Sequence, residues 1–243
     1  MTIVTSVDLW VAIPMHYMGD EQKVAHVEFF NVHPQLIKSM NTNIPLIEHL
    51  LFCVTGSIAA ANVPSIIQII IDRHIAGHIH VALSRVAQRF VSQHTIAVLT
   101  GQPCITNLYA RAKKGDPAHV RLANCCSTAI VVPTTANTLG KLAHGIIDNT
   151  VLMMLSIFEG RVLLVPAIHP AMYRKPFVHR NIQQLKEDGY FICGPVTGGF
   201  SMSERRRQLE IGAMPEPDVV VANLEYLIRY GKLPDSISPE EHQ

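Results

Sequence analysis

Five short apolar runs, rich in Val, Leu and Ile, recur along this chain, separated by long stretches of helical composition. They are residues 50–55 (LLFCVT), 78–84 (HIHVALS), 129–132 (AIVV), 161–165 (RVLLV) and 190–193 (YFIC). Runs this short and this apolar suit strands buried on both faces. Ten or more residues of helix-forming sequence lie between successive runs, so crossovers rather than hairpin turns must join them. The pattern predicts an α/β fold with a doubly wound, Rossmann-like parallel sheet. Helices are expected over residues 59–73, 86–93, 136–158 (in two pieces around Gly145), 178–187 and 219–230. Such sheets bind ligands beyond the carboxyl ends of their strands. Each run here closes on, or is followed by, Gly, Pro, Ser or Thr.

Composition narrows the classes of function. The 243 residues are 48% hydrophobic and 16% charged, which is too apolar for a disordered tail protein. Twenty basic against nineteen acidic side chains leave a net charge of +1, and aromatics make up 6%. That balance gives neither an electrostatic footprint nor stacking platforms for nucleic acid. The apolar run 63–71 is broken by Pro64, Ser65 and Gln68, so no membrane span is expected. Five cysteines (Cys53, Cys104, Cys125, Cys126, Cys193) form no C-x-x-C pair, and the start MTIVTSVDLW lacks a basic segment before an apolar one. Free thiols in a reducing cytoplasm fit that pattern. Residues 1–45 read as an N-terminal extension with an amphipathic helix over 21–40. Residues 46–230 form the body, with a covering loop at about 196–217, and 231–243 a polar tail.

Four motifs stand where chemistry is expected. In Thr55-Gly56-Ser57-Ile58-Ala59, glycine at a strand-to-helix junction admits close approach of a ligand to helix N–H groups. It is also an ordinary βα turn, and neither G-x-G-x-x-G nor a P-loop is present. Pro133-Thr134-Thr135-Ala136-Asn137-Thr138 offers hydroxyls and an amide to a ligand, and equally supplies N-caps. His119 is a base candidate near neutral pH, in a chain with 13 histidines. The stretch 166–173 (PAIHPAMY) is a stiff loop at a strand end. His74, His78 and His80 suggest a metal, but no cysteine or carboxylate is suitably spaced, so no metal site is expected.

In this order the motifs resemble the homo-oligomeric flavin-containing cysteine decarboxylases, a family of flavodoxin-like flavoproteins. LLFCVTGSIAA is similar to the family's first strand and turn, and VALSRVAQRFV to its second strand. His119-Val120 is placed like the catalytic H-[IV], and PTTANTLGKLAHGIIDN resembles the most specific family motif. The resemblance implies FMN, or FAD in some members, bound near Gly56, Ser57, Ile58, Ser84, Pro133, Thr135, Ala136, Asn137 and Thr138. It implies His119 as the catalytic base, and a homo-oligomer, a trimer or dodecamer. His169 stands where the family has a carboxylate-contacting Asn; Met172, Arg205, Arg206 and Met214 complete the implied substrate contacts. Arg205-Arg206-Arg207 reads equally as a solvated helix face.

Ile168 replaces a family Met, and Tyr173 a family Trp. Phosphopantothenoylcysteine decarboxylases carry a cysteine in the covering loop, needed to reduce the enethiol product. Residues 198–216 (GGFSMSERRRQLEIGAMPE) contain none. That favours the branch that oxidatively decarboxylates the C-terminal cysteine of a ribosomally made precursor peptide. The alternatives are a phosphopantothenoylcysteine decarboxylase of coenzyme A synthesis and a non-catalytic flavin-binding regulatory protein.

Overall fold

The structure is a computed structural model that describes residues 10–12, 29–31, 44–107, 118–197, 200–201, 206–207 and 211–234. The chain divides into two units, Met1–Asn43 and Ile44–Gln243. In the first, β1 (Trp10–Ala12) pairs antiparallel with β2 (Phe29–Asn31). This corrects the helix expected over 21–40 where that span is described. Adjacent aromatics at Phe29 and Phe30 favour a strand; the rest of the span lies outside the described residues.

The second unit follows the predicted alternation. After β3 (Ile47–Val54), a 3-10 turn over Ile58–Asn62 leads into α1 (Val63–Asp72). Pro64 sits in the first turn of α1, where its missing N–H costs nothing. Val63, Ile66, Ile67 and Ile70 recur at i, i+3, i+4 and i+7 and are buried. Strand β4 (Ala76–Leu83) comes next. The helix expected over 86–93 is instead a 3-10 turn, Ala87–Arg89, followed by α2 (Gln93–Thr100). Ser92 caps α2 and Gly101 ends it in the left-handed conformation (φ 65°), which fixes helix bounds that hydrophobic periodicity had placed too early.

The rest of the chain runs α3 (Ala118–Cys125), β5 (Thr128–Thr134), α4 (Ala136–Ala143), α5 (Thr150–Ser156), β6 (Arg161–Pro166). It continues through α6 (Pro170–Tyr173), α7 (Pro176–Glu187), β7 (Phe191–Ile192) and α8 (Pro217–Tyr230). Two-residue strands β8 (Phe200–Ser201) and β9 (Arg206–Arg207) pair antiparallel inside the expected covering loop. Helix α3 is an element that the sequence pattern does not predict, and β5 runs through Pro133 rather than stopping before it.

The five strands β4-β3-β5-β6-β7 lie in that order, all parallel. The chain moves from β3 to β4 on one side, then crosses to β5 on the other, so the order reverses between β3 and β5. That order, 2-1-3-4-5 within the sheet, is the flavodoxin-like one, and its crevice opens at the carboxyl ends of β3 and β5. Alternate residues feed two cores. Leu50, Phe52, Val54, Ile130 and Val132 pack with α1, α2 and α8. Leu51, Cys53, Ala129 and Val131 pack with α3, α4, α5 and α7. Both faces are therefore covered, as a parallel sheet requires.

Candidate functional site

At the reversal point, side-chain hydroxyls take over from the backbone ladder. Thr55, buried just beyond β3, donates its Oγ1–H to the Pro133 carbonyl at 2.6 Å and accepts the Thr135 N–H at 3.1 Å. One residue thus ties the ends of β3 and β5. Thr134, fully buried, donates to the Val131 carbonyl at 2.6 Å and accepts the Val165 N–H at 3.1 Å. It spans the register shift between β5 and β6, where proline offers no N–H of its own.

Three helix starts open at adjacent strand ends. Ser57 Oγ accepts the Ala59 N–H at 3.3 Å, and Ser84 Oγ accepts the Ala87 N–H at 3.2 Å. Thr135 Oγ1 accepts the Thr138 N–H at 3.2 Å and lies 3.0 Å from Thr138 Oγ1. Ser57 and Thr135 are N-caps, so the capping reading of PTTANT holds for Thr135, whereas Ser84 closes the loop that precedes Ala87–Arg89. Asn137, one residue inside α4, is exposed at this end. So are Ile58, Val86, Phe90 and Met172. Exposed apolar side chains beside hydroxyls and an amide suit a planar, partly polar ring with a phosphate-bearing tail. The residues present therefore fit a flavin mononucleotide.

Gly56 has a packing reason as well as a ligand one. A Cβ there would stand 2.3 Å from Val86 Cγ1 and 2.5 Å from Val86 Cβ. Pro133 is buried within β5, and Ala136 opens α4. His169 caps α6, its Nδ1 accepting the Ala171 N–H at 3.2 Å. An accepting Nδ1 places the neutral ring's proton on Nε2.

The covering segment is stitched down at its C-terminal end. Ile168 N–H donates to the Gly212 carbonyl at 2.9 Å, and Val196 N–H to the Ala213 carbonyl at 2.8 Å. A Cβ on Gly212 would meet the Ile168 carbonyl oxygen at 2.3 Å, so only glycine fits that crossing. Met214, expected near substrate, is buried in the core with Val220 and Val221. His119 lies in the first turn of α3 and Arg206 in β9, with both side chains outside the described residues. Arg205 also lies outside them.

The second half of the PTTANT motif is a latch. Lys141 Nζ bonds Asp148 Oδ2, and that bond holds the exposed Asp148 carboxyl below its usual range. Asn149 caps α5 by accepting the Leu152 N–H at 3.2 Å.

Burial sets the thiols. It pushes Cys53 and Cys193 each up to about 12, and Cys104 up to about 11. Cys193 sits beyond β7 as a core thiol, 5% exposed.

The histidine cluster differs from its sequence reading. His74 lies on a turn (φ 51°), while His49 from β3 joins His78 and His80 on β4. Cys125, at the end of α3, completes the group with His49 and His80. Neither His49 nor Cys125 was legible as a neighbour, because only the β3–β4 register and the α3 crossover bring them together.

Residues 38–229 match the Flavoprotein family. A coenzyme A biosynthesis bifunctional protein CoaBC of Bacillus subtilis (strain 168) is 30% identical over 173 residues, 71% of this chain and 41% of that protein. The chain thus spans about two-fifths of that relative's length. A probable phosphopantothenoylcysteine decarboxylase of Streptococcus mutans serotype c is 28% identical over 181 residues, 72% of this chain and 96% of that one. Among solved structures, the FMN-dependent cysteine decarboxylase SpaF superposes with TM-score 0.64 at 27% identity, covering 75% of this chain and 97% of that one. TvaF, an FMN-dependent cysteine decarboxylase from thioviridamide biosynthesis, does so with TM-score 0.56 at 33% identity, over 61% and 90%. With a matching sheet order and a fitting set of strand-end residues, a match over most of its length makes this chain a member of the Flavoprotein family, the homo-oligomeric flavin-containing cysteine decarboxylases.

Proposed function

We propose that this chain is an FMN-dependent oxidative decarboxylase of the C-terminal cysteine of a ribosomally made precursor peptide. The observation that carries the choice of product is the covering segment: residues 198–216 contain no cysteine. The nearest one, Cys193, is buried with its thiol pushed up to about 12, so it is unsuited to proton or electron transfer near neutral pH. The enethiol product would leave without being reduced to a saturated thiol.

Bound FMN supplies the two-electron acceptor for hydride from the substrate Cβ, with dioxygen as terminal oxidant. His119 is the base that takes the substrate thiol proton, and the crossover helix α3 carries it. Proton and hydride loss leave a thioaldehyde on the substrate, which stabilises the electron pair released as the carboxylate departs as CO₂. His169, with its proton on Nε2, donates toward that carboxylate before it leaves. Arg205 and Arg206 would meet acidic residues of the peptide, and Met172 its apolar flank. The chain works as a homo-oligomer, a trimer or dodecamer. No helix among the described residues is long and apolar enough to cross a membrane. The five cysteines are free thiols, which suits a reducing cytoplasm.

Aerobic incubation with cysteine-ended peptides tests the reading. A product lighter by CO₂ plus two hydrogens supports it. With phosphopantothenoylcysteine offered instead, a product lighter by CO₂ alone supports the second reading, a phosphopantothenoylcysteine decarboxylase, which the Streptococcus mutans relative favours by its 96% coverage. No mass change with any cysteine compound, beside intact FMN binding, would sink both.

A further inference from the structure

His49, His78 and His80 share one face of neighbouring strands, the face covered by α3. His49 pairs in register with His78, and His80 lies two residues further along β4. The rings of His49 and His78 stack with centroids 5.1 Å apart, and those of His49 and His80 with 5.2 Å. His78 is turned toward Glu48, its Nε2 3.5 Å from Oε1. His49 Nδ1 and His80 Nε2 point at each other across 3.1 Å. The exposed thiol of Cys125 stands over the pair. One ligand atom from each of the three lies within 4.8 Å of the other two.

Two imidazole nitrogens and one sulfur, on three separate elements, form a zinc donor set. With Zn–N bonds of about 2.0–2.1 Å, a tetrahedral site places its nitrogens about 3.3 Å apart. The 3.1 Å separation is close to that edge. A hydrogen bond between the rings also accounts for that distance, so Cys125 distinguishes the two cases.

We propose that His49, His80 and Cys125 bind a Zn²⁺ ion, with water in the fourth position. The site is remote from the strand-end crevice: His49 precedes Gly56 by seven residues, about 23 Å along an extended strand. A metal there clamps the last residue of α3 to β3 and β4. The first turn of the same helix carries His119. The ion is a structural pin for the helix, independent of which substrate the crevice takes.

The test loads purified full-length protein with Zn²⁺ alone, removes excess by gel filtration, and measures zinc per chain and zinc-edge X-ray absorption. The expected result is one zinc per chain with one Zn–S distance of about 2.3 Å and nitrogen neighbours at about 2.0 Å. Cys125→Ser and His80→Gln each weaken binding at least about 100-fold, beyond what loss of an outer-shell contact costs. Cys104→Ser leaves binding unchanged. Circular dichroism and FMN content confirm that each variant folds, and Cys125, exposed at a helix end, is the change least able to disturb packing. Failure to retain zinc, a shell without sulfur, or full binding by Cys125→Ser would each overturn the proposal.

Discussion

Replacing Thr55 by Val keeps the side-chain shape and deletes one oxygen. That oxygen donates to the Pro133 carbonyl at 2.6 Å and accepts the Thr135 N–H at 3.1 Å, with Thr55 2% exposed. No cavity forms, so the loss is confined to hydrogen bonding. A buried group left without a partner costs about 1–3 kcal/mol. Pro133 is buried and carries the full penalty, whereas the half-buried Thr135 amide recovers part of it from water. The sum is about 2–4 kcal/mol. With a urea slope near 3 kcal/mol per molar, the unfolding midpoint falls by about 1 M. Since the same oxygen holds the β3 and β5 ends together at the crevice, FMN affinity falls roughly tenfold, about 1.4 kcal/mol. Thr55→Ser keeps the oxygen, loses a methyl, and stays within about 1 kcal/mol of the parent. Urea unfolding followed by circular dichroism, beside FMN fluorescence titration, reads both effects. A Val variant within about 0.5 kcal/mol of the parent and with unchanged FMN affinity would refute the reasoning.

Gly56→Ala forces a Cβ to 2.5 Å from Val86 Cβ, costing about 1–3 kcal/mol, and Val86→Gly in the same chain recovers most of it; additive losses in a double-mutant cycle would contradict the clash. The Cys193 thiol is raised from 9.0 to about 12 in the fold, so between those values the native state holds a proton that the unfolded chain has lost. Its contribution to stability is complete below pH 9 and falls by about 1.4 kcal/mol per pH unit above it. Urea midpoints at pH 8 and pH 10.5 should converge for parent and Cys193→Ala, and parallel shifts would count against this. His119→Asn lowers turnover of a cysteine-ended peptide by about 10²–10⁴-fold while FMN stays bound, and near-normal turnover would remove His119 from the reaction.

The sheet was readable because its strands are apolar on both faces. LLFCVT, AIVV and RVLLV supply residues to both cores, and no other element accommodates that pattern in so few residues. The break at Gly145 was readable for a different reason, since glycine there adopts φ 66° between α4 and α5. Helix α3 was hidden because AHVRLANC has little apolar periodicity; Leu122 and, just past the helix, Cys126 carry its packing. At the crevice, the caps on Ser57 and Thr135 follow from local spacing, which sequence displays. The Thr55–Pro133 contact joins residues 78 apart, and the His49–His80 contact residues 31 apart. Such pairings depend on strand order, and no local pattern encodes them.

Pro133 stands in β5, which has a strand on either side. Beyond Val131 the hydroxyls of Thr55 and Thr134 bridge the strand ends beside the backbone bond from the Ala167 N–H to the Thr134 carbonyl. In the body of the sheet, strand spacing is a property of the peptide backbone and is the same whatever side chains are present. At the rim two side chains share that task with the backbone. The width of the crevice therefore depends on side chains that the body of the sheet does not use. A mutation at Thr55 or Thr134 reshapes the mouth at a cost in stability, while the backbone pairing of β3 and β5 up to Val131 is left as it is. For engineering, those two threonines are the dials for accommodating a different flavin or a bulkier substrate, with stabilising changes elsewhere to offset their loss.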